Sequence, residues 1–525
     1  MDSQHTPHRP LIVIVPALKG GFEGWRPLLA RLEGEDALRG ATWLLLPHDL
    51  RWYGFGNPAQ VAVRLRARVD QEWRKSGPYS EVMLVGHSFG GLLVRAAYLL
   101  ACGADHAVRE RSEWADRVSR IILLAAVNRG VDPTRLRRLR YGHWLTRALP
   151  VLRRLVIAQV FKGSSFITNL RIQWIRHFDR LGEGAPVVVQ LLGTEDRLVT
   201  SEDSVDVEQF QNAFYIRVPD ATHGDLHCLD GAPDPDGRYA LLRDAFVNTK
   251  PVHGENRTFD GAGRVVFVLH GIRANNRTWV KQTIDAIKSR WPEVEPIGEQ
   301  YGYISALQFA VPMLRRRNLT WFQDAYSQAL AHNPRATFDF IGHSNGTYLF
   351  GESLREIPGM QFDRAVLVGS VLPSDYDWAR RAEARQITML RVDGSRFDWP
   401  VAWLCSALRG IGMKDVGTGG YDGFTSVGPE KHEYFWYRGG HSEPLAPRNL
   451  PALAEYAVTG VPASAEDLDD QPVAWFAVVS RALRRLPHVA VVAALLLLAV
   501  AAGVPTTWVA ATAVVAALVF AIAVM

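Results

Sequence analysis

The sequence predicts an α/β protein of two successive domains, each a mostly parallel sheet flanked by helices, followed by a hydrophobic tail. Three observations lead to this prediction. Short apolar runs alternate with helical stretches, the alternation starts a second time after residue 250, and the runs 489–504 and 508–525 near the C-terminus are almost wholly Ala, Val, Leu and Ile. A chain of 525 residues gives each of two domains enough length for its own core.

The apolar runs give the expected strands and the domain boundaries. In the first domain they are Leu11–Val15, Trp43–Leu46, Val82–Val85, Ile121–Ala125, Val187–Leu192 and Phe214–Val218. In the second they are Val265–Leu269, Thr337–Ile341, Ala365–Val368, Ile387–Val392 and Glu433–Tyr437. We therefore assign residues 1–250 and 251–465 to two domains, 466–486 to a linker and 487–525 to the tail.

The tail predicts a helical hairpin in a membrane. Its two apolar runs, 489–504 and 508–525, are separated by Pro505-Thr506-Thr507, and each is shorter than the ~20 residues that span a bilayer comfortably. Arg481, Arg484 and Arg485 precede the first run and favour a cytoplasmic location for that side. A single re-entrant or interfacial segment, or a buried helical pair, is the alternative.

Composition narrows the classes of function. The net charge of +5 is too small to indicate a nucleic-acid partner. The three cysteines lack the spacing of a disulfide framework or a zinc site, which fits a reducing compartment. The polar N-terminus does not resemble a signal peptide, so we expect both domains to face the cytoplasm. No metal, nucleotide or other cofactor motif is present.

Each domain contains one G-x-S-x-G motif between an apolar strand and a helical stretch. The serines are Ser88, within residues 86–90, and Ser344, within residues 342–346. The flanking glycines allow strand and helix to approach closely, and the turn holds the serine hydroxyl away from the sheet. Two matches in this context indicate two nucleophilic serines.

A serine nucleophile requires a base and a carboxylate that orients the base. After Ser88, Asp196 follows one expected strand and His223 follows the next, so these are the predicted acid and base of the first domain. Glu195 is the nearby alternative for the acid, and His227 is the nearby alternative for the base.

In the second domain His441 is the predicted base, because it directly follows the strand Glu433–Tyr437. Asp398 is the preferred acid, since its spacing to Val401 repeats the spacing from Asp196 to Val199. Asp393, directly after the strand Ile387–Val392, remains possible.

Acyl transfer also needs backbone N–H groups that stabilise the developing oxyanion. The residue after each serine supplies the first donor, which is Phe89 in one domain and Asn345 in the other. The turn after the first strand should supply the second, from Ala17 or Leu18 in the first domain and from Ile272 in the second.

These motifs resemble those of the α/β-hydrolase family. The first half carries Gly-His-Ser-Phe-Gly-Gly, Thr-Glu-Asp-Arg-Leu-Val and Thr-His-Gly, and the second carries His-Gly-Ile-Arg, Gly-His-Ser-Asn-Gly-Thr, Asp-Trp-Pro-Val and Gly-Gly-His. The resemblance covers residues 10–460. It implies an eight-stranded, mostly parallel sheet in each domain and a Ser-His-Asp mechanism through an acyl-enzyme. The first half is similar to lipase and acyltransferase-like members of the family. In the second half Asn345 and Thr347 depart from the common lipase pattern, so the resemblance does not indicate the substrate of that half.

Residues 129–180 lie where members of this family insert a lid. This segment contains twelve basic and two acidic residues interleaved with apolar side chains. Such a pattern favours contact with an anionic lipid surface. The alternative is a solvated basic face on a cap that covers the pocket.

The expected function is a membrane-tethered serine hydrolase of ester or thioester bonds, with a lipid-like substrate and with membrane lipids as partners. No cofactor and no nucleic acid are expected. An acyltransferase using the same residues and a non-catalytic membrane scaffold of hydrolase fold are the alternatives.

Overall fold

The computed structural model of the protein describes residues 9–18, 20–104, 110–133, 152–200, 210–256, 261–272, 278–298, 305–426, 431–462 and 473–485, together with Asp203, Leu468 and Thr512. The strands are β1 (Leu11–Val15), β2 (Thr42–Leu45), β3 (Val82–His87), β4 (Val118–Leu124), β5 (Val187–Gly193), β6 (Ala213–Val218), β7 (Arg264–Leu269), β8 (Val294–Ile297), β9 (Thr337–His343), β10 (Phe362–Val368), β11 (Ile387–Phe397) and β12 (Lys431–Gly440).

The helices lie between the strands in both halves of the chain. They are α1 (Arg26–Leu32), α2 (Pro58–Ser76), α3 (Phe89–Ala101), α4 (Val156–Gln159), α5 (Ser165–Leu181), α6 (Pro235–Val247), α7 (Thr278–Arg290), α8 (Ala306–Ala310), α9 (Pro312–Arg315), α10 (Leu319–His332), α11 (Asn345–Glu356), α12 (Trp378–Glu383), α13 (Ser406–Gly410), α14 (Gly419–Asp422) and α15 (Leu450–Thr459). A π-helical turn spans Pro400–Cys405, and residues 474–485 form a further helix, called here the C-terminal helix.

The chain divides into two compact units. Unit 1 comprises Met1–Gly261, Leu319–Ala336 and Ile357–Gly359, and unit 2 comprises Ala262–Asn318, Thr337–Glu356 and Met360–Met525. Helix α10 thus belongs to unit 1, where it packs on α5.

Each unit is built on a parallel six-stranded sheet. The strand order is β2-β1-β3-β4-β5-β6 in unit 1 and β12-β11-β10-β9-β7-β8 in unit 2. Strands β1 and β3 are buried along their whole length, as expected for parallel strands covered by helices on both faces. Because all strands run in one direction, the loops after them meet at one edge of each sheet.

Local sequence signals explain where the helices that cover the unit 1 sheet begin. Helix α2 starts at Pro58, and the side chain of Asn57 accepts a hydrogen bond from the N–H of Ala59. Helix α5 is capped in the same way by Ser164, whose hydroxyl accepts from the N–H of Ile167. Proline at the first position and a short polar residue before it satisfy N–H groups that a helix start leaves unpaired.

Both sheets fit an α/β-hydrolase-like arrangement, but the expected number of strands was wrong, because each described sheet has six strands and not eight. Before the sheet of unit 2 only residues 248–263 lie between α6 and β7, and Glu255 of this connection forms a β-bridge with Tyr215 of β6, in unit 1. The sequence also missed β8, a four-residue strand at the edge of the sheet that contains Pro296.

The predicted membrane hairpin, 487–525, lies outside the described residues apart from Thr512. Within the part of the chain that is described, no helix is long and apolar enough to cross a bilayer. The described chain before the tail ends with the C-terminal helix at residue 485.

Candidate active sites

The first candidate site lies at the carboxyl end of β3, where Ser88 occupies the turn into α3. Ser88 has a φ of 52°, in the left-handed region that residues with a side chain rarely adopt. A Cβ atom on Gly86 would collide with the backbone of Gly91, and one on Gly90 would collide with the carbonyl oxygen of Val15. The glycines therefore allow the close approach that holds the Ser88 hydroxyl at the edge of the sheet.

Ser88, His223 and Asp196 form a continuous chain of hydrogen bonds. The Nε2 atom of His223 lies 2.7 Å from Oγ of Ser88, and its Nδ1 atom lies 2.9 Å from Oδ2 of Asp196. Asp196 follows β5 and His223 follows β6, so the parallel sheet brings all three side chains to one edge. This geometry allows the imidazole to accept the hydroxyl proton and the carboxylate to stabilise the resulting cation.

The environment of Asp196 fixes its orientation and charge. Its side chain is fully buried, and its Oδ1 atom accepts hydrogen bonds from the backbone N–H groups of Leu198 and Val199 at 2.8 and 3.0 Å. Burial raises the pKa of Asp196, but the hydrogen bonds from His223 and from these two N–H groups outweigh burial and hold the pKa below its usual value. The ionised carboxylate therefore favours the His223 tautomer that carries a proton on Nδ1.

The alternative acid and base, Glu195 and His227, are not part of this chain of hydrogen bonds. Glu195 is exposed, and among the described residues neither it nor His227 hydrogen-bonds to Ser88. His227 is buried, with its ring stacked on Trp25 at a centroid distance of 4.5 Å. Burial lowers the pKa of His227 to about 3, so the ring is neutral at physiological pH.

His87 contributes to the site although the sequence interpretation gave it no role. Its Nε2 atom lies 2.9 Å from the carbonyl oxygen of His223, and burial lowers its pKa to about 4, so the neutral ring donates Nε2–H to that carbonyl. In unit 2 the Nε2 atom of His343 lies 3.3 Å from the carbonyl oxygen of His441. The signal was present in the sequence, because both motifs read Gly-His-Ser.

A cavity of about 540 Å³ opens beside Ser88. Ala17 and Leu18 line it together with Phe89, whose N–H lies in the first turn of α3, where a helix leaves its N–H groups without intrahelical partners. The predicted oxyanion donors of the first domain thus border the same cavity as the nucleophile. The remaining wall is mainly apolar and includes Val131, Ile157, Val160 and Leu198.

The basic segment 129–180 contributes to this wall, but part of its charge is directed inward. The guanidinium of Arg171 is 1% exposed and binds Asp324 and Ser327 of α10, and Arg129 also pairs with Asp324. These arginines therefore pack α5 and the β4–α4 connection onto α10 and are not available to an anionic surface. Residues 134–151 of the predicted lid lie outside the described residues.

The second candidate site repeats the serine turn at the carboxyl end of β9. Ser344 has a φ of 51°. Its N–H donates to the carbonyl oxygen of Val368 at 2.9 Å, just as the N–H of Ser88 donates to that of Leu124. A Cβ atom on Gly271 would lie 2.8 Å from Cβ of Ser344, so the turn after β7 lies directly against the serine.

Asp398 is the carboxylate that contacts His441. The Nδ1 atom of His441 lies 2.8 and 2.9 Å from the two oxygens of Asp398, whose side chain is fully buried and also accepts from the N–H of Val401 at 3.0 Å. Asp393, the alternative acid, instead forms a buried ion pair with Arg391 at 2.9 Å.

The two sites differ in the contact between serine and histidine. Among the described residues no hydrogen bond joins Ser344 Oγ to His441, in contrast to the 2.7 Å contact between Ser88 and His223. The ring of His441 lies 4.6 Å from that of His343, whereas the equivalent rings of His223 and His87 are 6.2 Å apart. The proton path from Ser344 therefore requires a movement of one of these side chains.

The expected oxyanion donors of unit 2 are only partly described. Asn345 occupies the first position of α11 directly after Ser344. Ile272 follows Gly271, but the turn continues into residues 273–277, which lie outside the described residues. The second donor of this site therefore stays a prediction.

Over the described ranges no group of three or more His, Cys, Asp or Glu residues is placed to hold a metal ion. Near Ser88, His223 is bonded to Asp196 and His87 to a backbone carbonyl.

Buried histidines predict a loss of stability in mild acid. Burial lowers the pKa of His177, in α5, from 6.5 to about 4. Below pH 6.5 the unfolded chain binds a proton that the folded chain does not, so this contribution to stability is present above pH 6.5 and is lost as the pH falls towards 4. The loss is on the order of 3 kcal/mol for this histidine alone. Thermal unfolding followed by circular dichroism should show a smaller fall in Tm over this range for His177→Phe than for the unaltered chain. Equal pH dependence of the two proteins would contradict the prediction.

Comparison with known proteins gives no family assignment. No protein-family model and no curated protein sequence matches the chain. The solved structures that resemble it include phospholipase PlaB from Legionella pneumophila in complex with thio-NAD (16% identity, TM-score 0.27, 35% of this chain and 38% of that one). They also include Est1E from Butyrivibrio proteoclasticus (20% identity, TM-score 0.28, covering 46% of this chain and 86% of that one). A third is a monoacylglycerol lipase from Paleococcus ferrophilus (15% identity, TM-score 0.28, covering 46% of this chain and 94% of that one). Because these identities and TM-scores are low, the description of the fold and of the two sites depends on the sheet order and the distances given above.

Proposed function

We propose that this chain is a membrane-tethered serine hydrolase that cleaves carboxylic ester or thioester bonds of lipid-like substrates. The observation that carries the proposal is the 2.7 Å contact between Ser88 Oγ and His223 Nε2, with His223 Nδ1 bonded to the buried Asp196. A hydroxyl on a strained turn, bonded to an imidazole that a buried carboxylate orients, is the arrangement required of an activated serine.

In the proposed mechanism His223 Nε2 accepts the proton of Ser88 as Oγ attacks the substrate carbonyl carbon. The negative charge that develops on the carbonyl oxygen is stabilised by the N–H of Phe89 and by a second N–H from Ala17 or Leu18. His223 then transfers its proton to the leaving alcohol or thiol, which leaves the acyl group on Ser88. Water attacks the acyl-enzyme with His223 again acting as base, and the acid is released.

The substrate class follows from the cavity and from the sequence of the tail. A volume of about 540 Å³ lies within the range of small-molecule pockets, and its mainly apolar wall fits an acyl chain. The apolar tail, preceded by Arg481, Arg484 and Arg485, supports tethering with both units on the cytoplasmic side. Asp398 and His441 are the proposed acid and base for Ser344.

The test is labelling of the folded chain with a fluorophosphonate probe, followed by identification of the labelled peptides. We expect Ser88 to be labelled and Ser88→Ala to remove that peptide, whereas Ser344→Ala should leave it unchanged. Heat-denatured protein is the control for nonspecific reaction. Hydrolysis of an ester series should fall by about 10³-fold or more in Ser88→Ala, down to the activity that Ser344 supplies.

Absence of labelling at both serines in folded protein would refute the hydrolase proposal. Labelling of Ser88 alone would restrict it to unit 1, in agreement with the missing contact between Ser344 and His441. Product analysis with an added acceptor alcohol distinguishes hydrolysis from acyl transfer.

A further inference from the structure

Unit 2 exposes a cluster of large apolar side chains beside the acid of its candidate site. Phe397 and Trp399, which flank the buried Asp398, are 44% and 57% exposed, and Trp475 and Val478 of the C-terminal helix are 56% and 37% exposed. We call these four residues the aromatic surface. Concentrated apolar exposure of this kind marks an interaction site more often than a surface that faces only water.

Packing beneath Phe397 and Trp475 joins the two segments that carry these residues. Phe476 is buried, with its ring 4.4 Å from that of Trp403 and 6.1 Å from that of Phe397, and Trp403 lies 6.2 Å from Trp475. The hydroxyls of Ser406 and Ser480 lie 2.8 Å apart and are buried. The C-terminal helix is therefore fixed against the segment that follows Asp398.

The outward face of the C-terminal helix has an unusual composition. Phe476 and Ser480 occupy its buried face, and a helix docked in this way normally presents polar residues to water on the opposite face. Here the opposite face carries Trp475 and Val478 in its first half and Arg481 towards its end. Aromatic and apolar side chains followed by arginine are typical of a helix that lies in a membrane interface.

The position of the tail identifies the partner as a lipid bilayer. Three residues separate Arg485 from Val489, where the apolar run begins, so four steps along the chain keep the start of that run within about 14 Å of the end of the C-terminal helix. Tryptophan favours the headgroup region of a bilayer, and basic residues beside the tail favour anionic lipids. Of these residues Arg484 also pairs with Asp422 of unit 2 at 3.1 Å, so the attraction rests on Arg481 and Arg485. A bilayer that holds the tail would therefore be in reach of the aromatic surface.

We propose that the aromatic surface is a membrane-docking site that seats unit 2 in the headgroup layer of an anionic bilayer, with the segment that carries Asp398 at the lipid boundary. This inference rests on the membrane tethering in the proposed function. It adds a second contact with the bilayer, made by the folded domain itself, and implies that the second site receives its substrate from the headgroup layer.

The test uses the full chain in vesicles of phosphatidylcholine and phosphatidylglycerol. Tryptophan emission is measured with spin-labelled phosphatidylcholine whose quencher lies either near the headgroup or deep in the acyl chains. Subtracting the emission of Trp399→Phe/Trp475→Phe isolates the signal of these two rings among the sixteen tryptophans. Trp291→Phe is the matched control, because Trp291 is half-buried in the same unit and has no described contact with the aromatic surface.

We expect the shallow quencher to reduce the isolated signal by roughly half and the deep quencher to reduce it less. The Trp291 signal should not respond to either lipid. Equal hydrogen–deuterium exchange of peptides from β11 and β12 in the double variant and in the unaltered chain, both in detergent, would show that the substitutions leave unit 2 folded.

Each other outcome has a distinct meaning. Failure of the chain to float with vesicles would refute the tether and the docking proposal together. Flotation without quenching would refute docking alone, and stronger quenching from the deep position would refute the headgroup placement. Protection of both rings from an aqueous quencher without any lipid quenching would indicate a protein partner, which also overturns the proposal. None of these outcomes depends on whether Ser88 hydrolyses esters.

Discussion

Asp196→Asn is expected to slow acylation of Ser88 by about 10³- to 10⁴-fold while unit 1 stays folded. The backbone N–H groups of Leu198 and Val199 both donate to Oδ1 of Asp196, so the amide oxygen of asparagine should stay at that position. Its NH₂ group then faces Nδ1 of His223, which must become an acceptor. The ring proton moves to Nε2, and the nitrogen beside Ser88 can no longer accept the hydroxyl proton.

The measurement is the rate of fluorophosphonate labelling at Ser88 in a Ser344→Ala background, so that only the first site is observed. Glu195→Gln is the matched control, because it makes the same chemical change at the adjacent, exposed position. We expect that control to label at the unaltered rate. Comparable rates for Asp196→Asn and Glu195→Gln would show that Asp196 does not orient the base.

The placement of Ser88, Asp196 and His223 could be predicted from the sequence because each follows a strongly apolar strand. Parallel strands deliver the residues that follow them to one edge, so chain order alone indicates which loops meet. His87 received no role because its function depends on contact with a carbonyl oxygen 136 residues away. Contacts of that kind leave no local pattern.

The choice between Asp393 and Asp398 could not be settled from the sequence, because the apolar pattern of β11 ends before the strand does. Apolar residues suggested an end at Val392, whereas β11 continues to Phe397 through polar residues that the second unit buries. Asp393 therefore lies inside the strand, and Asp398 is the first residue after it.

Charge patterning alone could not show which arginines of residues 129–180 are paired within unit 1. The carboxylate that pairs with Arg129 and Arg171 is Asp324, which lies 195 and 153 residues further along the chain. A count of charges within the segment cannot detect such a partner. The segment therefore looked more cationic than its described part is in the folded unit.

Asp393→Asn is expected to destabilise unit 2 by about 3–5 kcal/mol, because it leaves a buried cation without its counter-charge. Arg391 and Asp393 lie on the same face of β11, and both side chains are fully buried. Burial lowers the pKa of Arg391, but the charge and hydrogen bonds of Asp393 outweigh burial and raise it, so the guanidinium is charged. In the variant the described hydrogen-bond and ring contacts that stay with the guanidinium are to neutral groups, among them the hydroxyl of Tyr437 at 3.3 Å and the ring of Phe435 at 4.1 Å.

Hydrogen–deuterium exchange of peptides from β11 and β12 measures the loss of stability within unit 2. The double variant Arg391→Met/Asp393→Asn should recover most of the lost stability, because it removes the buried positive charge as well. Asp398→Asn is the matched variant, because it makes the same chemical change at the carboxylate that contacts His441. We expect it to leave hydrogen–deuterium exchange in β11 and β12 nearly unchanged. In a Ser88→Ala background it should lower the fluorophosphonate labelling of Ser344. We therefore expect the stability of unit 2 to depend on Asp393, and the orientation of His441 to depend on Asp398. If Asp393→Asn left exchange unchanged and reduced labelling of Ser344 as strongly as Asp398→Asn does, this division of roles would be wrong.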